Sequence, residues 1–169
     1  MRRLPDGRHA LPDTAADRAD APATAALPPL DALLALDRTG RRAARGVRLA
    51  PHDALEALLP ALDGLEVVAI DFPAFTDGRG FSHARRLRAV HRFAGEVRAI
   101  GDVRPDQARQ MIRCGFDALE FAEAPDEALL ARLLGRFDAG YQPSYPVPGA
   151  PVPSGGAPTA EGAPGAAPA

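Results

Sequence analysis

The chain contains no lysine and no tryptophan, and it has a single cysteine, Cys114, in 169 residues. One thiol excludes an intramolecular disulfide, a CxxC redox pair and a cysteine-ligated cluster held by this chain alone. Long apolar runs are also missing. No stretch approaches the ~18 to 20 consecutive apolar residues of a membrane-spanning helix. Met1-Arg2-Arg3-Leu4 runs into Asp6 rather than into the apolar segment of a signal peptide, so a cytoplasmic location is expected and a membrane partner is not. An excess of charge of either sign is lacking too: 20 basic residues, all arginine, face 22 acidic ones for a formal charge of −2. Binding to nucleic acid through counterion release needs a basic face, so that class is not expected either.

What is present is unevenly distributed, and this marks out the domain. Residues 143–169 hold eight of the 18 prolines, and Glu161 is their only ionisable side chain besides Tyr145. Such a Pro/Ala/Gly-rich tail cannot build a core and is expected to be disordered. Residues 1–29 have no aromatic residue and no apolar periodicity. They are expected to be poorly ordered, apart from a short strand or turn around Leu4 to Leu11 with its bend at Asp6-Gly7. All seven phenylalanines and Tyr141 fall between positions 72 and 141, which places the folded unit at residues 30–142.

Within that unit short β-branched runs alternate with helical spacing. Leu65 to Asp71, Val97 to Ile100 and Ala118 to Phe121 read as strands. Asp53 to Leu62, Ser82 to Phe93, Pro105 to Cys114 and Asp126 to Leu134 read as helices, with Pro105 in a first turn and Gly115 as a stop. Val47 to Leu49 reads as a weaker strand, and Leu33 to Leu36 fits either a strand or a helix. The alternation predicts an α/β fold: a small, mainly parallel sheet of βα units, or an incomplete (β/α) barrel.

Ligands in such folds sit beyond the carboxyl ends of the strands, which directs attention to two loops, residues 71–82 and 101–106. In the first, Gly78 and Gly80 permit positive φ or a close backbone approach, and Ser82 is placed to cap the following helix. Free amides there, with Thr76 and Arg79 beside them, would form an anion site. The motif lacks both the Lys-Ser/Thr of a phosphate loop and the spacing of a dinucleotide fingerprint, and a plain turn with Arg79 paired to Asp77 is the competing reading. Arg98 falls within a strand and needs a carboxylate; Glu120, Asp71 and Asp102 are the candidates. Asp77 and Asp102 are the candidate acid/base residues. Asp71, Asp77 and Asp102 would suit a hard cation only if they converged, and no metal site is expected. Cys114 lies at the wrong helix end for activation and reads as a small apolar group. Helix Ser82 to Phe93 places Arg85, Arg88 and Arg92 on one face, read as solvated. Residues 78–98 carry six arginines against one glutamate, whereas residues 115–140 carry two against six acids, a polarity that could steer an anion or a docking partner.

The same loops carry a resemblance. The run Phe72-Pro-Ala-Phe-Thr-Asp-Gly-Arg-Gly-Phe-Ser-His-Ala-Arg-Arg-Leu-Arg88, followed by Gly95-Glu-Val-Arg-Ala-Ile-Gly-Asp-Val103, Asp106-Gln107 and Arg113-Cys-Gly-Phe-Asp-Ala118, resembles a bacterial family of unknown function. Its members are commonly labelled as oxidoreductases of sulfite reduction and are encoded beside sulfite reductase and sulfonucleotide reductase. The resemblance spans about residues 30–142 and implies either reductase as a partner. It does not reach the Pro-rich tail, and the label reflects gene neighbourhood rather than a reaction. The chain shows no dinucleotide, flavin or haem motif, so any cofactor is unknown and an accessory role is the leading expectation. On that reading Thr76, Gly78, Arg79, Gly80, Ser82 and Arg98 bind an anion such as sulfite, a sulfonucleotide phosphate or the carboxylates of a sirohaem-type cofactor on a partner. The alternatives are a small α/β enzyme using Asp77 or Asp102 with Arg79 or Arg98, and a structural module that docks on sulfite reductase.

Overall fold

The computed structural model describes residues 1–4, 6–11, 14–17 and 20–135. The tail from 143 onward therefore lies outside the described residues. Six strands form one sheet: β1 (Arg2–Arg3), β2 (His9–Ala10), β3 (Gly46–Leu49), β4 (Val67–Phe72), β5 (Glu96–Gly101) and β6 (Ala118–Leu119). Their spatial order is β1-β2-β6-β5-β4-β3. Strands β3 to β6 run parallel, with Val68 opposite Val97 and Arg98 opposite Ala118. The β1–β2 hairpin adds antiparallel to the free edge of β6, where His9 faces Leu119. The fold is thus α/β with a mostly parallel sheet, as the strand and helix alternation indicates.

Among the described residues there are six short α-helices, five between strands and the last after β6: α1 (Leu30–Ala35), α2 (Arg38–Ala43), α3 (Leu55–Leu58), α4 (Arg79–Ala89), α5 (Ala108–Cys114) and α6 (Glu127–Gly135). The segment Leu33 to Leu36, open to two readings, is helical. Two of the expected helices continue as or begin with tighter turns, Leu59–Gly64 after α3 and Pro105–Gln107 before α5. In each a proline occupies the first turn, where its missing N–H costs nothing. Gly115 ends α5 at φ 105, a left-handed position that glycine takes without a steric penalty.

Alternation along β4 and β5 decides what each face carries, because successive strand side chains point to opposite sides. Val68, Ile70, Phe72, Val97 and Ala99 join Ala84 and Leu87 of α4, Met111 of α5 and Phe116 in the main core. Phe72 and Phe116 are fully buried with ring centroids 5.8 Å apart. Helix α4 approaches the sheet closely at Gly80: a Cβ there would lie 2.7 Å from Phe72 Cζ and 3.0 Å from Ile70 Cγ2. On the other face Val67, Ala69 and Ile100 pack against Leu27 and Ala21, so the N-terminal segment, not a layer of helices, covers that side.

Composition therefore understates residues 1–29. The expected bend at Asp6-Gly7 is the β1–β2 turn, with Gly7 at φ 88 and Leu4 N–H bonded to Arg8 O at 2.7 Å. Leu4, Arg8, His9, Ala10, Ala16 and Leu27 are buried. The physical reason is that this segment owes its order to long-range partners on the sheet rather than to a periodicity of its own.

Candidate functional site

At the carboxyl edge of the sheet two loops are fastened to one another. Gly101, the last residue of β5, has φ 90, and a Cβ on it would lie 2.4 Å from the Phe72 carbonyl oxygen. Only glycine allows that approach, and it brings Asp102 N–H to Phe72 O at 2.7 Å. The Asp102 carboxylate then accepts from Phe75 N–H at 3.0 Å, and Gln107 Nε2 donates to Phe75 O at 2.8 Å. Both backbone groups of Phe75 are thereby held from the neighbouring loop while its ring stays 45% exposed. The Arg104 guanidinium lies 4.0 Å from the centre of that ring, and Arg104 also pairs with Asp102 at 3.1 Å. The result is a rigid crest with an aromatic face and a cation at its top.

The other sequence-derived residues lie around this crest in different roles. Arg79 grips Asp77 with two bonds, Nε at 3.0 Å and Nη2 at 2.7 Å, which is the plain-turn reading. Gly78 has φ −82 and open space around its Cα, while Gly80 serves the packing of α4 on Phe72. Neither has positive φ. Helix α4 starts at Arg79, so Ser82 lies within it and caps nothing; the N-cap position belongs to Gly78, with no side-chain bond. Thr76 is exposed in the loop. The hydrogen bonds from Arg79 hold the Asp77 carboxyl down at about 2. Those from Arg104, joined by the Phe75 amide, also lower Asp102. Carboxylates held in this way remain ionised at neutral pH and are weak bases, which is unhelpful for proton transfer. Among the described residues no group of three or more His, Cys, Asp or Glu side chains is placed to hold a metal ion.

Arg98 is not part of the crest. It is fully buried on the face covered by the N-terminal segment, and its partner is Glu96, two residues earlier on the same strand face, at 2.5 Å. Asp71 and Asp102 do not pair with it, and Glu120 reaches it only through Thr24: Arg98 Nη1 donates to Thr24 Oγ1 at 2.8 Å, and that hydroxyl donates to Glu120 at 2.5 Å. Arg8 contacts both oxygens of Glu96 at 2.7 Å. The alternation Glu96-x-Arg98 was a readable sign of a same-face pair, whereas Arg8, 88 residues away from Glu96, left no local trace.

Arg88, expected on a solvated face, is also buried. Its guanidinium donates to the carbonyls of Gly115, Phe93 and Gly95 at 2.9, 2.5 and 2.8 Å, and lies 3.2 Å from Asp117. Asp117 in turn accepts from Val97 N–H at 2.7 Å. Burial, reinforced by Glu96 nearby, pushes the Asp117 carboxyl up to about 7 against the pull of Arg88. Burial likewise lowers Arg88. The basic stretch 78–98 is therefore less basic at the surface than its count suggests: Arg88 and Arg98 are interior, and Arg79 and Arg86 are paired with Asp77 and Glu56. Cys114 is half-buried and its thiol is pushed up by burial.

No helix among the described residues is long and apolar enough to cross a membrane. Comparison with curated proteins finds no match. A family model does match, over residues 46–150: a bacterial protein family of unknown function, DUF934. That span includes both loops of the crest, β3 to β6 and the buried Glu96–Arg98 pair.

Proposed function

We propose that this chain, which belongs to the bacterial DUF934 family of unknown function, is an accessory protein of sulfite reduction that acts by docking rather than by turnover. The observation that carries the reading is the Phe75–Arg104 crest, an exposed aromatic ring pinned through both its backbone groups with a guanidinium over its face. Aromatic and arginine side chains are the usual anchors of protein interfaces, and one whose backbone is held in place loses little freedom when a partner covers it. Arg79 and Arg104 each commit two N–H groups to their aspartates. A guanidinium has five, so each has donors left for an anionic group on the partner. The anion-binding role thus belongs to a surface of Arg79 and Arg104 rather than to a loop that also includes Arg98. Sulfite reductase is the partner implied by the resemblance of the two loops, and its substrate and cofactor carboxylates have the matching charge.

The test is genetic and biochemical. A deletion strain should grow poorly on sulfate and normally on a reduced sulfur source, and the wild-type gene should restore growth where Phe75→Ala/Arg104→Ala does not, at equal protein level. Purified chain should raise sulfite reductase activity only at stoichiometric amounts. Normal growth of the deletion strain on sulfate, with no second copy of the gene, would remove the pathway assignment. Turnover by the isolated chain would replace docking by catalysis.

A further inference from the structure

We infer that an open pocket at the opposite, amino-terminal edge of the sheet binds a small organic anion through Arg92. The pocket measures about 190 Å³ and lies where Leu62, Asp63 and Leu65 meet Arg92 and Phe93. At roughly 30 Å³ per water-sized volume, that is room for about six non-hydrogen atoms. Its lining is mixed, more polar than apolar: Leu62, Leu65 and Phe93 supply the apolar part, Arg92 a cation, and His91 a ring whose Nε2 has no hydrogen-bond partner.

The backbone at Arg92 points to the same conclusion independently. Arg92, at φ 51, is the one non-glycine residue with positive φ among the described residues. It lies just past the end of α4, where the chain turns back and Phe93 N–H bonds to Leu87 O at 2.9 Å, and His91 N–H to Arg86 O at 3.1 Å. Glycine is the usual occupant of such a left-handed position because any Cβ meets a steric penalty there. The cap needs only backbone, so the fold gives no reason for arginine. Among the described residues Arg45, Arg79, Arg86 and Arg104 each have a carboxylate partner, whereas the exposed Arg38, Arg42, Arg48 and Arg132 have none, so what sets Arg92 apart is its backbone and its place on the pocket. No hydrogen bond or ion pair involves the Arg92 side chain among the described residues, although Asp63 lines the same pocket. A residue at a left-handed φ that lines a cavity and whose side chain stays unpaired fits a ligand-binding role. The ligand that suits it has a carboxylate or similar oxyanion for the guanidinium and a short apolar tail for Leu62, Leu65 and Phe93.

Butyrate, with six non-hydrogen atoms, is a direct probe. Amide resonances of the full chain should shift saturably on titration with butyrate at constant ionic strength, within residues 62–65 and 91–95, with millimolar affinity. Butylammonium, which would favour Asp63, should not do so. Arg92→Gly should weaken butyrate at least tenfold, as expected for loss of a charge-assisted bond, while keeping the spectrum of a folded chain because glycine accepts φ 51. Arg92→Lys should fall between the two. Absence of a saturable shift, equal affinity of Arg92→Gly, or equal binding of butylammonium would each overturn the proposal.

Discussion

The buried Asp117 makes stability depend on pH in a direction opposite to that of most carboxylates. An aspartate in the unfolded chain titrates near 3.8, whereas in the fold burial pushes Asp117 up to about 7. Below pH 4 it is protonated in both states. Between those values the native state holds one proton more than the unfolded state, so stability falls as pH rises, by up to about 1.4 kcal/mol per pH unit. Carried through a shift of about three units, the loss is on the order of 4 kcal/mol and is complete above pH 7. Asp6, Glu56, Asp77 and Asp102 are all lowered, so what they contribute is present above their unfolded values and lost only as the solution becomes more acidic. The two windows meet at about pH 4 and are separate above about pH 5. Urea unfolding of wild type and Asp117→Asn at about pH 5 and about pH 8 separates them. Wild type should lose about 2 to 3 kcal/mol between the two conditions, since only about two pH units of full slope lie between pH 5 and the folded value of about 7. The variant should lose little, whatever its absolute stability without a counter-charge for Arg88, because an amide still accepts from Val97 N–H but does not titrate. A wild-type stability that is flat over this range, or an Asp117→Asn slope equal to that of wild type, would refute the reasoning.

Arg98→Met should destabilise the chain by about 3 to 5 kcal/mol in the same assay, because it leaves Glu96 and Thr24 with a broken buried network; a loss under ~1 kcal/mol would mean that water replaces the pair. Gly101→Ala should cost about 1 to 3 kcal/mol, as its Cβ meets the Phe72 carbonyl at a left-handed φ, and should loosen the crest enough to be seen as faster amide exchange at Phe75 and Asp102. Arg92→Gly should raise the stability of the unliganded chain by about 1 kcal/mol by removing the left-handed penalty, read as an increase in Tm. Phe75→Ala should leave Tm within about a degree, since the ring is half exposed, and a large drop would show that the crest is core rather than surface.

The parts of the fold that could be read in the sequence are those fixed by local pattern. β4, β5 and α5 occur close to where the apolar runs and Gly115 place them, because burial and stop signals act within a few residues. Helix α4 ends four residues before the expected Phe93, at Ala89, since the left-handed Arg92 turns the chain although arginine carries no stop signal. The ion pairs divide in the same manner. Asp77 with Arg79 and Asp102 with Arg104 are two residues apart and could be foreseen as local contacts. Arg8 with Glu96, and Arg88 with Asp117, join elements far apart in sequence, and helical periodicity alone put Arg88 on the wrong side. A helix-wheel argument treats arginine as a surface residue. It has no means of registering that three backbone carbonyls, from Phe93, Gly95 and Gly115, await donors beneath α4.

These carbonyls also explain why arginine, rather than charge in general, is needed at the interior sites. A buried cation is tolerated when several acceptors share it, and one guanidinium here donates to carbonyls from two separate loops while lying 3.2 Å from a carboxylate, although its Nη2 makes no hydrogen bond. An ammonium at position 88 would have three donors on a point charge and could not reach the same set. Arg98 works likewise, bridging Glu96, Thr24 and the Pro22 carbonyl, and so attaches the N-terminal segment with its short 3-10 turns to the face of β5 that no α-helix covers. The buried arginines are thus fasteners of the scaffold, and the proposed binding roles fall on exposed ones: Arg79 and Arg104 at the carboxyl edge and Arg92 at the amino edge. That division makes a specific claim about Arg88→Lys and Arg104→Lys. The first should cost several kcal/mol of stability through unpaired buried carbonyls, whereas the second should leave stability unchanged and weaken only what the crest binds.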